Sequence, residues 1–254
     1  MNRLLSYRDL CWELVRRELR IRYRRSLLGF SWTMLQPLAT MIVLHVVFSS
    51  IFRFKVDNYP VYVLAGLLFW NFFSQSIVMS MNSLRTNAGL IQKLPVPKAV
   101  FPVAAIFSGL INLAFALAPL LVILVVTGHP LKPALLFLPV AVAIAALFTL
   151  GAGLLLAPLS VFFMDVVELV GLLLQLVMFL TPIMYPMAIL PERWHWIVRF
   201  NPVRSILEVF RDPIYYGKIP PWSHLSVALA LAVGLFALGA WSVSRVERRI
   251  TLYL

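Results

Sequence analysis

The sequence predicts an all-α integral membrane protein with six transmembrane helices, an N-terminal amphipathic helix at the membrane interface and re-entrant helices on the outer side. Three observations carry this. Hydrophobic residues make up 61% of the 254 residues, charged ones only 13%, and the mean hydropathy is +0.90. A soluble chain carries about 25% charge, so most of this one is solvated by lipid. Six apolar stretches, at about 32–52, 61–84, 99–127, 131–163, 167–187 and 223–243, each reach the ~20 residues an α-helix needs to cross the hydrocarbon core. None has the alternation of a barrel strand. The basic residues sit mainly between these stretches, which is the pattern of membrane topology.

Residues 1–31 are expected to form a cytoplasmic interface helix. Arg16, Arg20 and Arg24 recur every fourth residue and share one helical face, with Arg17 beside them. Glu13 stands four residues before Arg17, the favourable order for an ion pair. Leu10, Leu14 and Ile21 fall towards the other side, with Trp12 and Tyr23 near its edges. Such a helix lies with its apolar face in lipid and its arginines against phosphate headgroups. The first 31 residues carry eight arginines and no uninterrupted apolar core, unlike a cleavable signal peptide.

Residues 32–243 form the expected six-helix membrane domain, and six spans place both termini on one side. With the N-terminus inside, 14 of the 22 basic residues are cytoplasmic and eight are outside, in agreement with the positive-inside rule. Two connections are unusual. The cytoplasmic segment 85–98, RTNAGLIQKLPVPK, has room for a short helix followed by Pro95-Val96-Pro97, whose prolines discourage helix continuation. The outer segment 188–222 alternates proline breaks with apolar pieces of about 10 residues, too short to span and suited to re-entrant or interfacial helices. Its Trp194, Trp196, Tyr215, Tyr216 and Trp222 suit the headgroup level. Glu208, Arg211 and Asp212 are spaced for ion pairing on an amphipathic helix there. Residues 244–254 complete the chain as a cytoplasmic tail.

Several chemistries are excluded. A net charge of +12 would suggest nucleic acid in a soluble protein, but here it follows topology, and no nucleic-acid partner is expected. Cys11 is the single cysteine, which rules out an internal disulfide or a multi-cysteine metal site. There is no G-x-x-x-x-G-K-[ST] phosphate loop, no H-E-x-x-H, no Cys-x-x-Cys and no G-x-S-x-G, so neither catalysis nor a cofactor is expected on this chain. Between residues 56 and 191 the only carboxylates are Asp57, Asp165 and Glu168, all near span ends. A proton- or sodium-coupled carrier needs carboxylates in its core. The energy for any transport therefore comes from another subunit.

Four stretches carry a family resemblance. They are RYRRSLLGFSWTMLQPL (22–38), LAGLLFWNFFSQSI (64–77) followed by KLPVPK (93–98), FFMDVVELVGLLLQLVMFLTPIMYP (162–186) and FNPVRSILEVFRDPIYYG (200–217). In this order the set resembles the membrane subunit of a type-2 ABC exporter, in the branch that exports polysaccharides, O-antigen and teichoic acids. One departure is Met164, where that family usually has arginine. The resemblance implies a homodimer in the cytoplasmic membrane, with ATP and Mg bound on separate ATPase subunits docked below it. Residues 85–98 would then be the coupling helix, with Leu90, Ile91 and Leu94 inserted into the ATPase, Arg85, Lys93 and Lys98 steering docking, and Pro95 and Pro97 stiffening the segment. The interface helix would touch the ATPase as well. Residues 188–222 would form an outer gate, drawing on Pro191, Trp194, Asn201, Pro202, Glu208 and Arg211.

Sugars stack apolar ring faces on aromatic side chains and bond amides, so a glycan pathway needs both without fixed ion sites. The second span offers Phe69, Trp70, Phe72 and Phe73 with Asn71 and Gln75, and the fifth offers Gln175, Phe179 and Tyr185. Phe69, Phe72 and Phe73 share a face, and Trp70 with Phe73 is the expected pathway pair. The expected function is export of a polysaccharide or lipid-linked glycan. The alternatives are a drug- or lipid-exporting permease of the same superfamily and a membrane-embedded lipid-linked transferase using the outer segment.

Overall fold

The computed structural model describes residues 7–23, 28–48, 56–93 and 95–253. Among these residues the regular structure is helical throughout. The elements are α1 (Arg8–Tyr23), α2 (Trp32–Val46), α3 (Tyr59–Thr86), α4 (Ala88–Lys93), α5 (Val100–Val126), α6 (Leu138–Phe162), α7 (Val166–Leu180), α8 (His195–Arg199), α9 (Pro202–Arg211) and α10 (Trp222–Tyr253).

Four helical stretches are long and apolar enough to cross a membrane: α3, α5, the continuous piece 133–162 that contains α6, and α10. The remaining two apolar helices, α2 and α7, have 15 residues each. At 1.5 Å per residue each extends about 22 Å, less than the ~30 Å hydrocarbon core. The first expected stretch ran to residue 52, but residues 49–55 lie outside the described residues. The fifth stops before Thr181-Pro182, because a residue preceding proline is pushed out of the helical region. Helix α10 continues to Tyr253, so the expected tail is a continuation of that helix.

Helix α3 is the centre of the bundle. Every residue from Val61 to Trp70 is buried, as expected of a helix apolar on all sides. It packs on α5 and α6, while α6 makes its most extensive contact with α10. Glycine allows that last approach. A Cβ at Gly151 of α6 would lie 2.5 Å from the backbone of Leu235 and Phe236, and one at Gly239 would collide with the Gly151 carbonyl. Helices in lipid gain from such close van der Waals contact, because apolar burial alone distinguishes little between lipid and protein. Two serines do similar work on α3, where Ser76 faces Gly109 of α5 and Ser80 faces Gly153 of α6.

Two apolar cores follow. The larger surrounds α3 and includes Phe69, Phe73, Phe148, Leu207 and Phe210. The smaller lies at one end of the bundle, where Leu14 and Val15 of α1 meet Leu84, Ile91, Phe101, Val161 and Ile250. This is the α1 end. The opposite end gathers the connections 127–137 and 181–221 around the start of α3.

Candidate coupling surface, clasp and polar cavity

At the α1 end, an arginine-rich helix is fastened to a short stiff one. Leu14 and Val15 are buried against the bundle, so α1 places part of its apolar face on protein, whereas lipid was expected. Trp12 and Ile21 stay exposed. The expected Glu13–Arg17 pair is replaced by Glu13–Arg16 at 2.8 Å, and Arg16 also lies over the Trp12 ring. Arg17 instead donates to Asn87 Oδ1 at 3.0 Å, and Asn87 Nδ2 donates to the Ser83 carbonyl at 2.8 Å. The bond joins α1 to the turn between α3 and α4. Arg20 is exposed, and Arg24 lies outside the described residues.

The segment expected to couple to a partner divides into two faces. Ile91 is 2% exposed and Lys98 7% exposed, and the Ile91 side chain belongs to the smaller core. Neither reaches outward as expected, because Ile91 of α4 and Val96 of the proline run pack into the smaller core against α1 and α5. Lys93 and Pro95 are exposed, while Arg85, Leu90 and Pro97 are half-buried. Leu94 lies outside the described residues. The Lys98 amide donates to Glu247 of α10 at 3.1 Å, and the Tyr7 hydroxyl donates to the Pro95 carbonyl at 3.4 Å. The platform is therefore tied to α1 and to the last helix as well as to α3.

At the opposite end a clasp closes around residues 181–186. Pro182 leaves carbonyls in this stretch without helical partners, and three side chains from distant elements supply donors. Arg211, only 4% exposed, donates to the carbonyls of Pro182 at 2.7 Å and Ile183 at 3.1 Å. Its guanidinium lies 4.0 Å from the centre of the Tyr62 ring. The Tyr62 hydroxyl donates to the Pro182 and Tyr185 carbonyls, and that of Tyr59 to the Met184 carbonyl. Gly66 makes the room, since a Cβ there would collide with Arg211 Nη2. The expected pairing of Arg211 with Glu208 is therefore absent: Glu208 bonds Arg204 one turn earlier, at 2.6 Å.

Helix α9 begins as its sequence requires. Asn201 Oδ1 accepts from the Val203 amide at 3.0 Å as an N-cap, with Pro202 at the first helical position, where its missing amide costs nothing. Asn201 Nδ2 also donates to Thr181 at 2.8 Å, which ties the start of α9 to the end of α7. Pro191, Trp194 and Pro202 are exposed. Further along, Asp212 is partly buried, and burial first and Glu208 second push its carboxyl up to about 6, against the pull of His224, Arg211 and Lys218.

The aromatic pathway candidates separate. Phe69, Trp70 and Phe73 are buried, with Phe73 stacked on Phe148 at 5.7 Å and Phe69 against Phe210 at 5.9 Å. The expected pathway pair Trp70 and Phe73 is thus core of this subunit, because the aromatic face of α3 meets α6 and α9. Gln175 and Phe179 are exposed on α7, and the Tyr185 hydroxyl donates to the Phe179 carbonyl at 2.7 Å. Gln75 lies instead on a cavity of about 240 Å³ between α2, α3 and α5, with Asn71, Asn112 and Gln36. Of these amides, sequence reasoning missed Gln36 and Asn112. Amides within otherwise apolar spans are the signal that could have found them.

Comparison with known proteins agrees with this architecture. The sequence pattern described as ABC-2 type transporter matches residues 9–215. The chain is 32% identical over 249 residues to the O-antigen export system permease protein RfbA of Myxococcus xanthus, covering 97% of this chain and 94% of that one. A Klebsiella pneumoniae protein of the same name is 27% identical over 244 residues, covering 95% and 93%. The polysialic acid transport protein KpsM of Escherichia coli is 25% identical over 239 residues, covering 92% and 93%. The chain is a multi-pass helical membrane protein and belongs to the ABC-2 type transporter membrane family.

Proposed function

We propose that this chain is the permease subunit of an ATP-driven exporter that moves a polysaccharide or lipid-linked glycan across the cytoplasmic membrane. Two copies form the pathway, with the six apolar stretches that contain α2, α3, α5, α6, α7 and α10 as the spans of each and both termini cytoplasmic. ATP and Mg are held by separate ATPase subunits. The full-length likeness to permeases named for O-antigen and polysialic acid transport supports the substrate class.

The observation that carries the coupling role is the platform at the α1 end. Helix α4 and the proline run are braced by Arg17–Asn87 and by Glu247, with Lys93 and Pro95 left exposed. A short element held at several points transmits a rigid-body movement of a partner without absorbing it. Leu90 is the half-buried apolar residue beside that exposed face. Leu90→Asp combined with Lys93→Glu is expected to abolish ATPase copurification and export while leaving membrane insertion intact. Retention of both would overturn the coupling role.

A further inference from the structure

Two helices that meet at the α1 end carry the same exposed pattern. Trp12, Arg16 and Arg20 recur every fourth residue on α1, and Trp241, Arg245 and Arg249 do so on α10. All of these side chains are exposed. Side chains on a helix lean towards its N-terminus, so an arginine at i+4 covers a ring at i. Arg16 accordingly lies over Trp12 at 5.4 Å, and Arg245 over Trp241 at 5.2 Å. The buried sides of the same helices, at Leu14, Val15 and Ile250, share the smaller core. The two ladders differ in charge balance. Arg16 is paired with Glu13 at 2.8 Å, whereas among the described residues no carboxylate pairs with Arg245 or Arg249.

We propose that the α10 ladder is a binding site for an anionic phospholipid, with the phosphate on Arg245 and Arg249 and the start of an acyl chain along Trp241. The proposal goes beyond the exporter reading and holds whatever cargo the chain moves. On the turns before the ladder, Val227, Gly234 and Leu238 are exposed on the same side of an apolar helix, which suits acyl chains. Trp241 marks the point where that apolar side becomes basic, and tryptophan favours the head-group level. A guanidinium offers paired donors with the geometry of a phosphate. Two of them one turn apart, with no carboxylate to compete, complement a net negative head group and not a zwitterionic one. Glu247, between the two arginines in sequence, faces away from them on the helix and accepts from the Lys98 amide at 3.1 Å. The lipid therefore grips the turn that ties α10 to the platform.

The test is native mass spectrometry of the full chain, released from neutral-detergent micelles and titrated with phosphatidylglycerol. A basic side chain near an anionic lipid surface contributes about fivefold in affinity, so Arg245→Gln/Arg249→Gln should weaken the tightest phosphatidylglycerol site roughly 30-fold. Both side chains are exposed, so the variant keeps its fold. Arg199→Gln/Lys218→Gln removes the same charge from exposed positions at the opposite end and should leave that site unchanged. Phosphatidylcholine, whose choline balances its phosphate, should not compete. A loss in the ladder variant smaller than the roughly fivefold expected of one arginine would overturn the proposal. Equal losses in the two double variants would overturn it too, since net charge alone would then govern binding. Polyprenyl phosphate binding more tightly than phosphatidylglycerol would also overturn it, by assigning the ladder to an isoprenoid carrier.

Discussion

Removing the Arg211 side chain should open the clasp end without unfolding the bundle. In Arg211→Ala, two charge-assisted hydrogen bonds to the Pro182 and Ile183 carbonyls disappear, together with the contact over Tyr62. Bonds to a charged group contribute about 1.5–3 kcal/mol each, and a desolvated cation–π contact about 2 kcal/mol. Alanine also removes the cost of holding a guanidinium out of water, which is several kcal/mol. The net loss worked from these terms is about 3 kcal/mol, localised on residues 181–186. Because Cys11 is the single cysteine, a Cys11→Ser chain carrying Ile183→Cys reports on this region alone. Ile183 is fully buried, so maleimide reaches position 183 only through local opening. At 1.4 kcal/mol per tenfold, labelling should accelerate by about 150-fold in the Arg211→Ala background. A change smaller than about threefold would refute the view that Arg211 holds the segment closed.

Gly66→Ala should lower the thermal midpoint, because its Cβ collides with Arg211 Nη2 and also crowds Ile183, and the double variant Gly66→Ala/Arg211→Ala should lose less than the sum of the two single losses. Additive losses in that cycle would show that the two residues do not share a site. Gly239→Leu should separate α10 from α6 and cost roughly 3 kcal/mol or more as overpacking, whereas Gly234→Leu, which meets nothing within 4 Å, should leave the melting point nearly unchanged. The Asp212 carboxyl binds its proton more tightly in the folded chain, so its contribution to stability is complete below about 3.8 and is lost as pH rises through about 6. Asp212→Asn should flatten that difference in melting profiles recorded from pH 4 to 7.5. Parallel profiles for the two proteins would exclude the assignment.

Much of the helical architecture was legible in composition and periodicity. An apolar segment of membrane length becomes a helix because its backbone groups have no other partners in lipid, a local constraint that needs no knowledge of neighbours. The break at Asn201-Pro202 was equally local and marks the start of α9, whereas the fifth stretch was drawn to 187, across the Thr181-Pro182 that ends α7. Caps and breaks act within one turn, so the signal for each lies in a few adjacent residues. The family resemblance, too, was readable from the order of its four motifs.

The partners of the polar side chains were not. Arg17 had Glu13 within one turn but bonds Asn87, 70 residues away, and Arg211 had Glu208 beside it but reaches back 28 and 29 residues to two carbonyls. In both cases the folded bundle brings an orphaned acceptor closer than the helical neighbour, and an unsatisfied buried group costs more than a surface ion pair returns. Trp70 and Phe73 went inward for a related reason, since a stripe of aromatics is attracted equally to a pathway and to a core until the facing helices are known. Hydropathy and spacing thus determined that this chain is a helical membrane protein and roughly where its apolar helices lie. Only the tertiary structure decided which face of α3 is core, which is cavity, and which arginine closes the clasp, because those choices depend on groups that the sequence sets far apart.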